Sequence, residues 1–139
     1  MPFWSRSRPI RQPFKILHRL HWLPIVARIE YKICLLTHKA LITEQPAYLN
    51  ELLIRYNPSY EIKLRAADEP GRLVVPFLES HATYAARAFS YAAPKIYNSL
   101  PTTLRGINNL DTFKSKLKTY FFSVAYDPDD HGLMPGYKL

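Results

Sequence analysis

Two adjacent aspartates, Asp129 and Asp130, come closer than any other residues of this sequence to a metal-dependent catalytic pair. In polymerases, two neighbouring aspartates on a tight hairpin and a third on a nearby strand hold two Mg²⁺ ions, which clamp the attacking and leaving oxygens. Here the pair follows Pro128, and no apolar strand precedes it. We therefore interpret it as part of a polar tail and expect no catalytic residues in this chain.

No other sequence pattern indicates an enzyme or a bound cofactor. There is no Gly-x-Ser-x-Gly elbow, P-loop, His-Glu-x-x-His segment or dinucleotide fingerprint. Cys34 is the one cysteine, which excludes an internal disulfide and favours a reducing compartment. His18 and His21 lie three residues apart without a neighbouring cysteine or carboxylate, so we expect them to pack or cap rather than to bind a metal. The sequence thus predicts a non-enzymatic protein without a metal or cofactor.

Positive charge is concentrated in the first third of the sequence. Residues 1–45 carry eight Arg or Lys against two acids, a difference of +6 out of a net +8 for all 139 residues. This distribution favours an anionic partner, with nucleic acid first and an anionic membrane surface second; a merely solvated basic face is the alternative. The candidate nucleic-acid-binding residues are Arg6, Arg8, Arg11, Lys15, Arg19, Arg28, Lys32 and Lys39.

Aromatic side chains near these cations could stack on unpaired bases of RNA or single-stranded DNA. The possible stacking partners in the basic third are Phe3, Trp4, Phe14 and Trp22. Trp22 stands just before the helix-starting Pro24, where a tryptophan is more often a core or staple residue than a base platform. Tyr91 and Tyr97 are likewise expected in the core, and Asn98 is expected to bond nearby backbone.

The helix expected at residues 24–42 carries two different faces. Pro24 suits the first turn of a helix, and the segment from Ile25 to Ile42 contains no helix-breaking residue. Arg28, Lys32 and Lys39 share an arc only about 40° wide, which we call the basic ridge. A separate arc of about 100° is apolar and is expected to face the core. Its residues are Ile25, Val26, Ile29, Ile33, Leu36 and Ala40.

Shorter elements are expected in the remainder of the chain. Helices are predicted at residues 46–56 and 94–100, and a last helix at 109–125, capped by Asn108 or Asn109. The local charge around this last helix balances, so its lysines are expected to matter less for binding than the basic ridge: Lys114, Lys116 and Lys118. Its apolar stripe comprises Leu110, Phe113, Leu117, Tyr120, Phe121 and Val124.

A β-branched run at residues 72–77 can form a strand, with a return strand at 83–89. Such a pair is marginal alone and needs helices to cover it. We therefore predict a mainly α fold class: a small helical domain with a short two-stranded β-ribbon. Residues 1–17 are expected to form a basic flexible arm, residues 18–126 the domain, and residues 127–139 a loose tail.

A series of short motifs in fixed order runs from about His18 to Tyr126. They are His21-Trp22-Leu23-Pro24-Ile25, Arg28-Ile29, Tyr31-Lys32-Ile33, Leu36-Thr37, Lys39-Ala40-Leu41, Pro46-Ala47-Tyr48-Leu49, Leu52-Leu53, Leu73-Val74-Val75-Pro76, Arg87-Ala88-Phe89-Ser90-Tyr91-Ala92-Ala93-Pro94, Tyr97-Asn98-Ser99-Leu100-Pro101 and Phe113-Lys114-Ser115-Lys116-Leu117-Lys118. Together they resemble the C-terminal region that follows the polymerase domain in the reverse transcriptase of non-LTR, LINE-type retrotransposons of the jockey-like branch.

The resemblance implies a non-catalytic fragment of an RNA-directed DNA polymerase that helps to hold template RNA or target DNA in the nucleus or cytoplasm. The chain departs from the usual pattern at Tyr97, where the family has Trp, and at Ala85-Ala86, where it has Gly or an acidic residue. Two alternatives stay open. The chain is a helical protein-interaction module that packs on a missing polymerase domain, or it is a decayed element fragment with no selected function. The sequence does not fix the oligomeric state.

Overall fold

Helices make up most of the computed structural model, which describes residues 11–57, 71–78 and 85–126. This part of the chain confirms the predicted mainly helical fold class. A 3-10 turn at Ala85–Arg87 precedes the fourth helix. The α-helices in chain order are α1 (Arg11–Arg19), α2 (Ile25–Thr43), α3 (Ala47–Asn50), α4 (Phe89–Asn98), α5 (Thr102–Arg105) and α6 (Leu110–Ala125). None of them is both long and apolar enough to cross a bilayer.

Helix α6 presents its predicted face to the core. Its first turn is capped by Asn109, whose side-chain oxygen accepts a hydrogen bond from the Thr112 amide at 3.0 Å, as the sequence suggested. Three residues of the predicted stripe are fully buried and the other three are half-buried. The buried ones are Phe113, Leu117 and Phe121. A period of 3.6 residues with large side chains therefore identified this helix face correctly.

Helix α2 turns a different face to the core from the one predicted. Ile25, Ile29 and Leu36 of the predicted stripe are exposed, with Ile25 at 72 % and Leu36 at 43 %. The buried side instead consists of small and polar side chains: Ala27, Cys34, Thr37, His38 and Ala40. Only Ala40 belongs to both sets. The prediction was wrong because α4 and α6 pack against α2 where its side chains are small, which lets the helices approach closely.

A polar group sits at the centre of this packing. His38 is 1 % exposed, its ring stacks on Phe113 with centroids 3.5 Å apart, and Nδ1 shares a hydrogen bond of 2.9 Å with the Tyr97 hydroxyl. Burial raises the pKa of Tyr97 to about 12, so its phenol stays protonated. Burial also raises the pKa of the Cys34 thiol, which therefore behaves as a small hydrophobe.

The predicted two-stranded ribbon is absent from the described residues. Residues 85–87 form the 3-10 turn and α4 begins at Phe89, so the return strand expected at 83–89 does not form there. The run at 72–77 pairs instead with the residues after α3, through an antiparallel bridge between Arg55 and Leu73. Asn98 completes this arrangement. It accepts from the Leu73 amide at 2.9 Å and donates to the Leu73 carbonyl at 2.8 Å, so its backbone partner is 25 residues away and not nearby.

Several element boundaries differ from the prediction. α3 ends at Asn50, because the following residues turn and then enter the bridge. α4 starts five residues before Pro94, which lies inside it. α1 includes residues 11–17, which the sequence had placed in a flexible arm. α2 ends at Thr43, and the following C-cap residue, Glu44, has a left-handed backbone with φ of 55°. Residues 1–10 of the predicted arm and the predicted tail at 127–139 lie outside the described residues.

Candidate nucleic-acid interface

An open cleft of about 430 Å³ lies between the first half of α2 and the middle of α6. We call it the α2–α6 cleft. Four of its lining side chains are cationic and the others are aromatic or apolar; among the residues that the structure describes, no carboxylate lines it. Its residues are His21, Trp22, Leu23, Arg28, Tyr31, Lys32, Lys114 and Lys118. The cleft therefore combines the two features that single-stranded nucleic-acid sites use, cations for phosphates and aromatic surface for bases.

Helix packing places the four cations around the cleft. Arg28 and Lys32 are one turn apart on α2, and Lys114 and Lys118 are one turn apart on α6. Because α2 and α6 pack directly against each other, the two pairs lie on opposite sides of one opening. Side chains that are far apart in the sequence thus form one basic surface.

The turn between α1 and α2 forms the aromatic wall of the cleft. His21 adopts a left-handed backbone with φ of 51°, which reverses the chain after α1. The Trp22 amide then donates to the Leu17 carbonyl at 2.8 Å. The Trp22 carbonyl accepts a hydrogen bond from the Tyr126 hydroxyl at the end of α6, and Leu23 is buried. The backbone that carries the indole is therefore fixed from both sides, while the indole itself is 55 % exposed.

Arg28 is held in place by two contacts. Its Nε donates to the Leu23 carbonyl at 2.7 Å, and its guanidinium carbon lies 5.4 Å from the centre of the Trp22 ring. Burial raises the pKa of Tyr126, and the neighbouring Arg28 opposes this shift. With Nε bound to backbone, the two terminal nitrogens of Arg28 remain to donate to an anion in the cleft. A fixed fork of this kind suits the bidentate recognition of phosphate.

The electrostatics of the cleft favour an anion. Arg28, Lys32, Lys114 and Lys118 form no ion pair with another residue of 11–57, 71–78 or 85–126. Glu30 lies about 160° around α2 from Lys32, and its pKa is raised because it is partly buried there. Asp111 is one turn before Lys114 on α6 and does not line the cleft. Uncompensated like charges repel one another, so a bound phosphate chain would relieve repulsion as well as form hydrogen bonds.

The structure gathers only part of the predicted binding set. Arg28 and Lys32 line the cleft, whereas Lys39, the third member of the basic ridge, is exposed farther along α2. Lys15 and Arg19 are exposed on α1, and Arg11 lies in the same helix. Arg6 and Arg8, with the aromatic residues at positions 3 and 4, lie outside the described residues.

Two cations of the cleft were not predicted from the sequence. Lys114 and Lys118 were expected to matter less because the charge around them balances, yet both line the cleft opposite Lys32. Lys116 is exposed, and it lies about 160° around α6 from each of them. The helical period separates Lys114 and Lys118 from Lys116 and so indicates a shared face for the first two. The net charge of the segment cannot show this. The helical period could not show which helix the pair faces.

The aromatic predictions had mixed outcomes. Tyr97 is buried as expected and Tyr91 is half-buried. Trp22 was expected in the core, and it is instead more than half exposed because the buried residue at this turn is Leu23. His18 and His21 pack on Phe122 with ring centroids 5.5 Å apart in each case. No group of three His, Cys, Asp or Glu residues suited to a metal occurs in the described part of the chain.

Comparisons of the chain with models of protein families, with curated proteins and with solved structures gave no match.

Proposed function

We propose that this chain is a non-catalytic module that binds RNA or single-stranded DNA through the α2–α6 cleft. One observation carries the proposal: two helices bring four cations to the rim of an opening that also holds an exposed tryptophan, and no carboxylate of the described residues lines it. Phosphate binding by such cations is driven largely by the release of counterions and depends little on base sequence. Lys15 and Arg19 on α1 and Lys39 on α2 are further exposed cations outside the cleft.

The resemblance to the C-terminal region of retrotransposon reverse transcriptases supplies a context for this binding. In that context the module would help to hold template RNA or target DNA for an RNA-directed DNA polymerase, inside the nucleus or cytoplasm. We expect the chain alone to incorporate no nucleotides on primed RNA with Mg²⁺, since the carboxylates of a two-metal site are missing from its sequence. Incorporation that is abolished by changing Asp129 and Asp130 to Asn would contradict this.

The binding proposal is tested by neutralising the three lysines that line the cleft. The variant Lys32→Gln, Lys114→Gln, Lys118→Gln removes three cleft charges and leaves Arg28 in place. We expect it to bind a fluorescent 20-nucleotide oligo(U) or oligo(dT) roughly 10- to 100-fold more weakly in anisotropy titrations at low salt. The slope of log K against log salt should become shallower by about two units, since each phosphate contact on a single strand contributes about 0.7.

A matched variant controls for net charge. Arg87, Lys95 and Lys116 are exposed and lie outside the cleft, so changing them to Gln removes the same charge from other surfaces. We expect this variant to bind within about threefold of the wild type. If the wild-type chain does not bind at low salt, or if the control loses as much affinity as the cleft variant, the cleft is not a nucleic-acid site.

A second candidate function rests on the apolar residues that α2 leaves outside. Ile25, Ile29 and Leu36 form an exposed strip next to the basic ridge. Exposed apolar strips of this kind are typical of protein-protein contacts, so the alternative is a helical interaction module that packs on a polymerase domain. Changing Ile25, Ile29 and Leu36 together to Gln should then abolish co-purification with such a domain and leave oligonucleotide affinity unchanged.

A further inference from the structure

The feature that the phosphate contacts leave unexplained is the exposed indole of Trp22. A tryptophan side chain is seldom left more than half exposed on a fixed backbone without a partner. The backbone on either side of Trp22 is held by Leu17 and Tyr126, so the ring stands at the cleft in a defined place. The Arg28 guanidinium lies over this ring, and no aromatic side chain of the described residues stacks on it.

We propose that Trp22 is the stacking platform for one unpaired base, and that the cleft therefore selects single strands over duplexes. This inference rests on the nucleic-acid binding proposed above and assigns its base contact. A flat base would lie on the open surface of the indole, and the Arg28 guanidinium would continue the stack on the ring. The positive charge of Arg28 beside the ring makes the same site attractive to the phosphate attached to that base.

The size and composition of the cleft agree with this assignment. A volume of about 430 Å³ accommodates one nucleotide unit, and the opening is lined on its far side by Lys114 and Lys118. A base seated on Trp22 therefore places its flanking phosphates among Lys32 and the two α6 lysines. A duplex cannot use the site in this way, because its bases are already stacked and must be extruded at a cost before they can reach an aromatic surface.

Fluorescence gives a direct test, because the chain has only two tryptophans. In a full-length Trp4→Phe background, Trp22 is the sole indole reporter. We expect oligo(U) to quench its emission at saturation, and an abasic strand of equal length and charge to bind more weakly without quenching it. Trp22→Ala should bind oligo(U) about 10-fold more weakly with an unchanged salt slope, while Trp22→Phe retains most of the affinity.

The outcomes separate this inference from the proposal beneath it. If no oligonucleotide binds the wild-type chain, nucleic-acid binding itself is wrong. If oligo(U), abasic strand and duplex bind alike, and Trp22→Ala binds as the wild type does, then binding occurs by phosphates alone and the stacking platform is wrong. Emission that shifts to the blue on phosphatidylserine vesicles, without quenching by oligo(U), would assign the indole to a membrane surface and also overturn the inference. Thermal melts of Trp22→Ala and Trp22→Phe show whether lost affinity reflects lost folding.

Discussion

Helices α2 and α6 were both predicted to bury a stripe of large apolar residues, and only α6 does so. In α6 the side chains that fill the core are Phe113, Leu117 and Phe121. In α2 three of the corresponding large residues, Ile25, Ile29 and Leu36, are exposed, and the helix buries Ala, Cys, Thr and His. The largest apolar arc of a helix is therefore not always the face that packs in the core. Where two neighbours must approach closely, small side chains make the contact and large ones are left for another partner.

This arrangement has a functional side. The exposed apolar strip of α2 and its basic ridge lie next to each other, while α6 contributes its core stripe and two cleft lysines. Both helices are buried along one face. That face of α2 consists of small and polar side chains, whereas that of α6 consists mainly of large apolar ones. Substitutions of large apolar residues in the two helices should therefore behave differently.

The strongest test compares one leucine from each stripe. Leu117→Asp places an unpaired charge in a fully buried position and should lower the free energy of unfolding by about 4 kcal/mol. Leu36→Asp, at a position that is 43 % exposed, should lower it by less than about 1 kcal/mol. Urea unfolding followed by circular dichroism measures both. Equal losses for the two variants would show that the assignment of the α2 faces is wrong.

The tight contact of α2 can be tested by adding volume. Ala40 has no exposed surface, so Ala40→Leu should force its neighbours apart and destabilise the protein by about 2 kcal/mol. The matched change on the outer face, Ile29→Ala, should be neutral or stabilise the helix by about 0.4 kcal/mol, since Ala has the higher helix propensity. A neutral Ala40→Leu, measured by thermal and urea unfolding, would mean that the helices are not closely packed there.

The buried histidine makes the α2 contact sensitive to pH. Burial lowers the pKa of His38 from 6.5, and the nearby backbone of Ile107 opposes this by less. Because the folded-state pKa lies below the unfolded one, the contribution of His38 to stability is present above about pH 6.5 and is lost as the pH falls through the folded-state value. Between pH 7 and 5.5 the wild type should therefore lose more stability than His38→Leu, which has no titratable group at this position. Parallel pH profiles for the two proteins would contradict a buried neutral imidazole.

The smallest expected effect concerns how the two helices end. The C-cap residue that follows α2 is Glu44, with φ of 55°, whereas the one that follows α6 is Tyr126, with φ of −122°. A left-handed backbone is strained for any residue with a Cβ atom, so Glu44→Gly should stabilise the protein by about 0.5 kcal/mol after the greater flexibility of glycine in the unfolded chain is included. Glu44→Ala keeps the Cβ atom and is the control. Equal melting temperatures for the two variants would show that this strain is negligible.

The parts of the structure that the sequence predicted are those set by local patterns. The helical fold class, the Asn109 cap and the α6 stripe follow from spacing and cap chemistry within one helix. The inner face of α2 could not be predicted because it depends on the shape of α4 and α6. The bridge between Arg55 and Leu73 was missed for a similar reason, since its partner strand follows α3 instead of standing next to it as a hairpin.

The candidate site divides in the same way. Arg28 and Lys32 were predicted because they lie on one narrow helix face in a basic segment. Lys114 and Lys118 were not, because only tertiary packing brings α6 beside α2 and places their charge on the same opening. The exposure of Trp22 could not be predicted from the sequence either, because it depends on Leu23 occupying the buried position at the turn. Local chemistry thus identified half of the cleft cations.

The hydrogen bond from the Tyr126 hydroxyl to the Trp22 carbonyl joins residues 104 positions apart, which has a consequence for the order of synthesis. At about 5 to 20 residues per second, a ribosome adds Tyr126 roughly 5 to 20 s after Trp22. Throughout that interval α2 has no α6 to pack on, and the backbone of Trp22 is held on the Leu17 side alone. An incomplete nascent chain therefore carries the α2 cations without the complete cleft, and only chains translated through Tyr126 can form this hydrogen bond.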